Sequence, residues 1–275
     1  MSANERETQR LPFHAGTEAF AAVSHEEATA RILFLTEQGW PTGCLVGPSG
    51  CGKTTILKGV RSRLRAGRSE AIYLSLCGVS SSEFWTELAL TLGSRVRESG
   101  MNARKTIRGL LAASAMINRR VTFLLDDADR GADSLWDDIA GLVRIVEGGQ
   151  SGHTVVIATS GAVPGGDLAN RIDLRAEVAP FTMEETSQYI SMRLAEAESE
   201  MEFLPDAAEE LFQITGGVPA LINRVADLAL VTAQAAETNQ VDVESVRSAA
   251  PELRPCDDAA IVTFSVEEAM RRRSA

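Results

Sequence analysis

Gly47-Pro48-Ser49-Gly50-Cys51-Gly52-Lys53-Thr54 is the stretch on which the fold turns. It fits the spacing G-x-x-x-x-G-K-[ST], and its surroundings fit too. Cys44-Leu45-Val46 before it reads as a short buried strand, and Gly52–Leu64 after it as a helix. The chemistry needs these residue types. Glycines let backbone N–H groups turn inward around a phosphate, and the helix that follows adds the positive end of its dipole. In such a loop Gly47, Pro48, Ser49, Gly50, Cys51, Gly52 and Thr55 form the cradle. Lys53 reaches the β- and γ-phosphates of a nucleoside triphosphate, and the Thr54 hydroxyl binds Mg²⁺.

Apolar runs continue the pattern on either side. Ala71–Leu76, Val121–Leu125, His153–Thr159 and a weaker Ile172–Val178 read as further strands. Helical periodicity occupies Ser24–Gln38, Ser80–Leu92, 103–119 and Leu135–Val146. Ser24 is placed to cap the first, and Gly39 and Pro41 to stop it. Strands alternating with helices predict a parallel five-stranded sheet covered on both faces, an α/β core. After Pro180 the texture changes. Thr182 and Glu185 form a capping box, helices fit 182–195, 205–214, 219–236 and 242–250, and no strand is evident. The expected organisation is a leader over 1–22, an α/β domain over 23–179, a small all-helical domain over 180–250 and a tail over 251–275. Pro12 and Gly16 argue against an ordered helix in the leader.

Composition narrows the class. The 275 residues are 44% hydrophobic and 24% charged, which is globular and not disordered. Four cysteines without a CxxC pair exclude a disulfide scaffold and the common zinc spacing. No apolar run approaches the ~18 residues of a membrane span. A polar start, Met1–Arg10, is no secretory signal, so a cytoplasmic protein with reduced thiols is expected. The net charge of −11 is uneven: residues 1–175 carry +1 and residues 176–275 carry −12. The acidic last third repels phosphate backbones, so any nucleic-acid contact belongs to the first part.

Further chemistry sits at strand ends. Val121–Leu125 runs into Asp126-Asp127. Asp126 is expected to anchor the metal beside Thr54. Asp127 is either the base that polarises the attacking water or an acidic loop residue. Asp129 and Arg130 are read as solvated. Thr159, closing the fourth strand, either senses the γ-phosphate or is a structural turn residue. Arg171, with Arg175 in reserve, either acts across a subunit boundary on transition-state charge or forms a surface ion pair. Arg61, Arg65 and Arg68 share a helical face, and Arg95, Arg97, Arg104, Lys105 and Arg108 form a looser group. They line a nucleic-acid channel or are solvated and intersubunit faces. Cys51 is a reactive thiol or a small filler. His14, His25 and His153 show no ligand spacing.

The ordered set of motifs over residues 11–247 resembles the AAA+ ATPases of the general secretion pathway protein A (ExeA-like) type. The resemblance rests on Leu11-Pro12-Phe13, Ser24-His25-Glu26-Glu27-Ala28, the phosphate loop and Asp126-Asp127. It continues through Asn170-Arg171-Ile172, Glu184-Glu185-Thr186, Tyr189-Ile190 and Gly216-Gly217-Val218-Pro219 with Leu221-Ile222-Asn223. It implies a P-loop NTPase core, a helical lid over adenine, Mg-ATP as ligand, a homo-oligomer, and Arg171 as the finger; a protein client is a separate expectation. A second sensor would lie at Gly217–Arg224. The sequence departs from that family at two places. Asp127 stands where the family has Glu, shortening the reach by about 1.5 Å, and Ala220 stands where it has Arg. Arg224, one helical turn on, is the substitute cation. Both departures point to slow turnover. Three functions follow as expectations: an ATPase coupling hydrolysis to conformational change, a DNA-associated regulator similar to transposition target-selection subunits, and an ATP-gated scaffold.

Overall fold

Short apolar runs such as Val121–Leu125 and Val155–Ala158 are buried on both faces, which only the centre of a sheet between two helical layers provides. The computed structural model describes residues 12–15, 20–65, 69–95, 97, 100–149, 152–161, 163 and 166–252. Its elements are α1 (Pro12–Ala15), α2 (Val23–Gln38), β1 (Thr42–Val46), α3 (Lys53–Arg65), β2 (Ser69–Ser75), α4 (Ser81–Thr91), α5 (Gly100–Met116), β3 (Arg120–Asp126), α6 (Leu135–Gly148), β4 (Thr154–Thr159) and β5 (Leu174–Glu177). There follow α7 (Met183–Glu196), β6 (Glu202–Phe203), α8 (Pro205–Thr215), α9 (Pro219–Ala235), β7 (Gln240–Val241) and α10 (Val243–Ala249). Arg68, most of the 1–22 leader and most of the 251–275 tail lie outside the described residues.

Five parallel strands pair in the order β2-β3-β4-β1-β5. Alternation splits their side chains between two cores. Phe123, Leu125, Val155 and Ile157 meet Trp85, Leu88, Ile107 and Ile139 from α4, α5 and α6. Leu45, Leu124 and Val156 meet Ile32, Leu35 and Leu57 from α2 and α3. Because β1 lies between β4 and β5 while α3 carries the chain across to β2, the carboxyl ends of β1, β3 and β4 open on one crevice. His153, just before β4, is a buried neutral link. Its Nδ1 accepts from the Val121 N–H at 3.0 Å and its Nε2 donates to the Leu111 carbonyl at 3.0 Å, and burial pulls its pKa down.

The C-terminal helices build a third core from Tyr189, Ile190, Leu211, Ile222, Val225 and Val246. A capping box at Thr182/Glu185 starts α7, as the local pattern predicts, and the structure adds a second at Ser80/Glu83 that starts α4. Gly39 ends α2 in the left-handed conformation.

Three local expectations are corrected. The leader does hold a helix: Pro12 occupies the first turn of α1, where its missing N–H costs nothing, and Phe13 is buried in the third core. The Phe13 N–H donates to Asp227 Oδ1 at 3.1 Å. Ser24 does not cap α2. The helix starts at Val23, whose N–H donates to Glu185 Oε1 at 2.9 Å, while the Ser24 hydroxyl donates to the Ala179 carbonyl. The helical region also holds a strand pair, β6 against β7, only two residues each. Runs that short carry no periodicity of their own.

Candidate functional site

β1 ends at Val46, and the loop that follows folds back on itself before α3 starts at Lys53. Gly50 and Gly52 adopt φ of +82° and +91°, values a side chain would strain. Lys53 is buried, and its Nζ donates to the carbonyls of Gly47 (2.7 Å) and Pro48 (3.0 Å) and to Ser160 Oγ (3.3 Å). Burial pulls the ammonium below the ordinary lysine range, opposed by Cys51 and by the carboxylates of Asp129, Asp126 and Asp127. Cys51 is fully buried and its thiol is pushed up to about 11 by that burial, so it is a filler and not a nucleophile.

The end of β3 comes to meet this loop. Asp126 is 1% exposed, and among the described residues three donors hold its carboxylate. Oδ2 accepts from Thr54 Oγ1 at 2.6 Å and from the Tyr73 hydroxyl at 2.8 Å, and Oδ1 accepts from the Asp127 N–H at 3.0 Å. Burial and the neighbouring carboxylate both raise the Tyr73 pKa. Asp127 has φ 51° and ψ 43°, left-handed for a residue with a Cβ. Such a conformation costs of order 1 kcal/mol and persists where surrounding structure imposes it. Burial and then the Asp126 charge push the Asp127 pKa up.

The remaining expected residues fall in different places. The Thr159 hydroxyl is fully buried and donates to the Gly161 carbonyl at 3.2 Å, so it faces its own turn. The next residue, Ser160, is the one against Lys53, and its N–H donates to Asp129 Oδ2 at 2.9 Å. Asp129 is exposed, as its place in an acidic loop suggests, and through this bond it also ties the ends of β3 and β4 together. Pro48, Ser49 and Thr55 line the loop or its exposed rim. Arg171 lies outside this cluster in the chain's own ion pairs, with Glu147 and with Asp167 at 2.9 Å. Arg175 pairs with Glu177 at 3.3 Å. Arg224 is half-buried in α9 and has interactions of its own.

The helical region closes on the loop from the other side. The Ala220 N–H donates to the Gly50 carbonyl at 3.2 Å. His25, on α2, donates Nε2–H to the Cys51 carbonyl at 2.7 Å, and its ring lies against Gly52 and Phe181. Burial depresses the His25 pKa, offset by that bond and by Glu185. No spacing signal marks His25, Tyr73 or Ser160, because their partners are distant in the chain.

Of the basic residues, Arg104 is spent on Asp138 at 2.5 Å and on the Trp85 ring, and Arg97 on Glu87 at 3.4 Å. Arg61 and Arg65, with Arg119, line a groove of about 630 Å³ at the opposite end of the strands. Glu70, in the same groove, pairs with Arg119 at 3.2 Å.

Sheet order, loop and helical region define the fold of the AAA+ P-loop NTPases, and residues 38–163 match the family model described as an AAA domain. The chain resembles General secretion pathway protein A of Aeromonas hydrophila, at 24% identity over 230 residues. That alignment covers 79% of this chain and 41% of the relative, so the chain spans less than half of the relative's length. Two solved structures share the fold at 17% identity. The Aeropyrum pernix ORC1 protein, in complex with DNA, has a TM-score of 0.67 over 89% of this chain and 69% of that one. The Aeropyrum pernix ORC2 protein, in ADPNP–ADP complexes, has a TM-score of 0.62 over 89% and 72%. Among the described residues no helix is long and apolar enough to cross a membrane.

Proposed function

We propose that the chain is a Mg-ATP-binding AAA+ ATPase that couples nucleotide binding and hydrolysis to movement of its helical region within an oligomer. The observation that carries this reading is the convergence of Lys53, Thr54 and Asp126, with Thr54 Oγ1 2.6 Å from a carboxylate oxygen that is otherwise buried. The fit to the ligands is chemical. A hydroxyl and a carboxylate are the hard oxygen donors Mg²⁺ takes, and Mg²⁺ is commonly held by one or two protein groups plus phosphate. Thr54 and Asp126 would hold the ion. When bound it would neutralise charge developing on the phosphates. Lys53 supplies a cation already desolvated beside the loop. Asp127, with its raised pKa, is the residue to accept a proton from the attacking water. Ser160, in contact with Lys53, is set to report on the phosphate, and Thr159 shapes the turn that presents it. Arg171 would act across a subunit boundary only after leaving Glu147 and Asp167, so assembly has to break those pairs. Steady-state phosphate release from Mg-ATP tests the reading: turnover supports it, and protein that binds no ATP overturns it.

Slow turnover is part of the proposal. Asp127 is short for a base, and Ala220 supplies no cation where the helical region touches Gly50. Asp127→Glu combined with Ala220→Arg is expected to raise the steady-state rate by about tenfold or more, since a well-placed base alone contributes ~10²–10⁴. An unchanged rate would argue against these two assignments.

The groove of Arg61, Arg65 and Arg119 favours a second reading, in which the ATPase works on DNA. Arg119 is already paired with Glu70, and each phosphate contact contributes a slope of about −0.9 in log K against log salt, so Arg61 and Arg65 predict about −1.8. Duplex binding measured across 50–200 mM salt checks this. A flat slope, or no binding at the lowest salt, removes the DNA reading and leaves a protein client.

A further inference from the structure

We infer that Tyr73, on the edge strand β2, is a positioning residue for the Mg²⁺ site: its hydroxyl fixes the Asp126 carboxylate so that one oxygen faces Thr54. The inference rests on the Mg-ATP reading above and adds a residue that no phosphate-loop pattern contains.

The geometry comes from three elements. In the β2–β3 ladder Tyr73 lies opposite Leu124, and Ser75 opposite Asp126. Alternation puts Tyr73 and Asp126 on the sheet face that α3 covers, and α3 opens with Lys53 and Thr54. The phenol therefore reaches one step along the sheet toward the carboxylate, and the Thr54 hydroxyl reaches the same oxygen from above. Both donate to Oδ2, at 2.8 Å and 2.6 Å. Oδ1 takes the Asp127 N–H at 3.0 Å.

These bonds have separate consequences. The Asp127 N–H is local and accompanies any turn at the end of β3. Thr54 would itself be a ligand to the ion, so its bond to Asp126 joins the two groups that have to be aligned and is not an independent support of either. Tyr73 is the one donor of the three that is neither the metal's own ligand nor the carboxylate's chain neighbour. A phenol is protonated at neutral pH and is a fixed O–H donor with two torsions, anchored here in a strand. It removes the rotational freedom of a short carboxylate side chain before any ion arrives. Partners of metal ligands act in this way, and their removal typically costs 10–100-fold in metal affinity or activity.

Tyr73→Phe removes only the oxygen and keeps the ring in place. The test measures binding of a fluorescent ATP analogue to wild type and variant, first in EDTA and then over a MgCl₂ titration, beside their thermal unfolding temperatures. The expected result is equal affinity in EDTA, an unfolding temperature close to wild type, and a half-saturating Mg²⁺ concentration raised about tenfold or more. A half-saturating Mg²⁺ concentration equal to wild type overturns the inference and leaves the ATP reading intact. A variant that loses affinity equally with and without Mg²⁺ also overturns it, since a role in packing alone moves both. Wild-type protein that binds no analogue in either condition overturns the ATP reading, and the inference falls with it. The double variant Tyr73→Phe with Thr54→Ala should require no more Mg²⁺ than Thr54→Ala alone, because the tyrosine acts through that pair.

Discussion

Lys53→Ala is expected to lower Mg-ATP-dependent phosphate release by at least about 100-fold and to weaken ATP binding. The expectation comes from where the ammonium sits. Nζ is buried and held by two loop carbonyls and Ser160. A charge already stripped of water interacts more strongly with a phosphate than one that must desolvate during the reaction. Removing one such preorganised group costs ~10²–10³ in rate in enzymes where it has been tested. The substitution also has a structural cost, because the Gly47 and Pro48 carbonyls lose a donor. That loss, about 1–3 kcal/mol for a buried polar group, is offset by no longer burying a cation. Folding is therefore expected to survive, and thermal unfolding checks it. Lys53→Arg should not rescue, because a planar fork cannot take the place of a compact ammonium in a closed loop. Binding of ATP to Lys53→Ala at wild-type affinity would remove the phosphate-loop assignment altogether.

Gly217→Ala is expected to be the most damaging single methyl in the helical region. Gly217 has φ +73°, and a Cβ there would lie 2.0 Å from the Phe181 carbonyl oxygen and 3.2 Å from the Phe181 nitrogen. That neighbour is backbone and cannot swing away. The same pair is joined by a hydrogen bond, Phe181 N–H to the Gly217 carbonyl at 2.8 Å, so the close approach is part of how the α8–α9 turn is tied to the segment entering α7. Strain at φ > 0 together with a forced backbone shift amounts to about 3 kcal/mol or more. For a domain of this size that is a fall of roughly 6–12 °C in the unfolding temperature. Gly216 is the internal control. It too has a positive φ, +59°, ending α8, but among the described residues no heavy atom lies within 4 Å of the position its Cβ would take. Gly216→Ala should cost only about 1 kcal/mol. Equal falls for the two variants would show that the contact with Phe181 is not what requires glycine. The turn lies next to Ala220 and the phosphate loop, so Gly217→Ala should also weaken nucleotide binding in the fraction that folds.

The two residues differ in how far the sequence reveals them. Lys53 is legible from eight consecutive residues, because a phosphate cradle is a local structure and its geometry is written in adjacent glycines. The Gly216-Gly217 pair is visible as a motif, but two neighbouring glycines look alike in sequence. Only the approach of Phe181, 36 positions earlier in the chain, separates a tolerant position from an intolerant one. The same division explains the sites. Thr54 and Asp126 were legible as candidates because each sits at the end of a strand or the start of a helix with a recognisable pattern. Tyr73, Ser160, Asp129 and His25 were not, since each is an ordinary residue until a partner from another strand or helix arrives. Thr159 and Ser160 show the limit most clearly. Adjacent residues at a strand end point to opposite sides, and a shift of one decides which hydroxyl meets Lys53. Arg171 was identified as a cation near the last strand, and the structure engages it with Glu147 and Asp167.

By itself the sequence determined what local chemistry controls: the phosphate loop, the alternation of strands with helices, the capping box at Thr182, and the change to helices after Pro180. Those follow from periodicity and from hydrogen bonds a few residues long. Tertiary structure alone decided the strand order β2-β3-β4-β1-β5, the burial of Phe13, the capping of α2 by Glu185 and the three donors on Asp126. The reason is physical. A strand carries the same apolar pattern wherever it stands in a parallel sheet, so its neighbours are chosen by long-range packing. A buried carboxylate takes whichever donors that packing brings within reach.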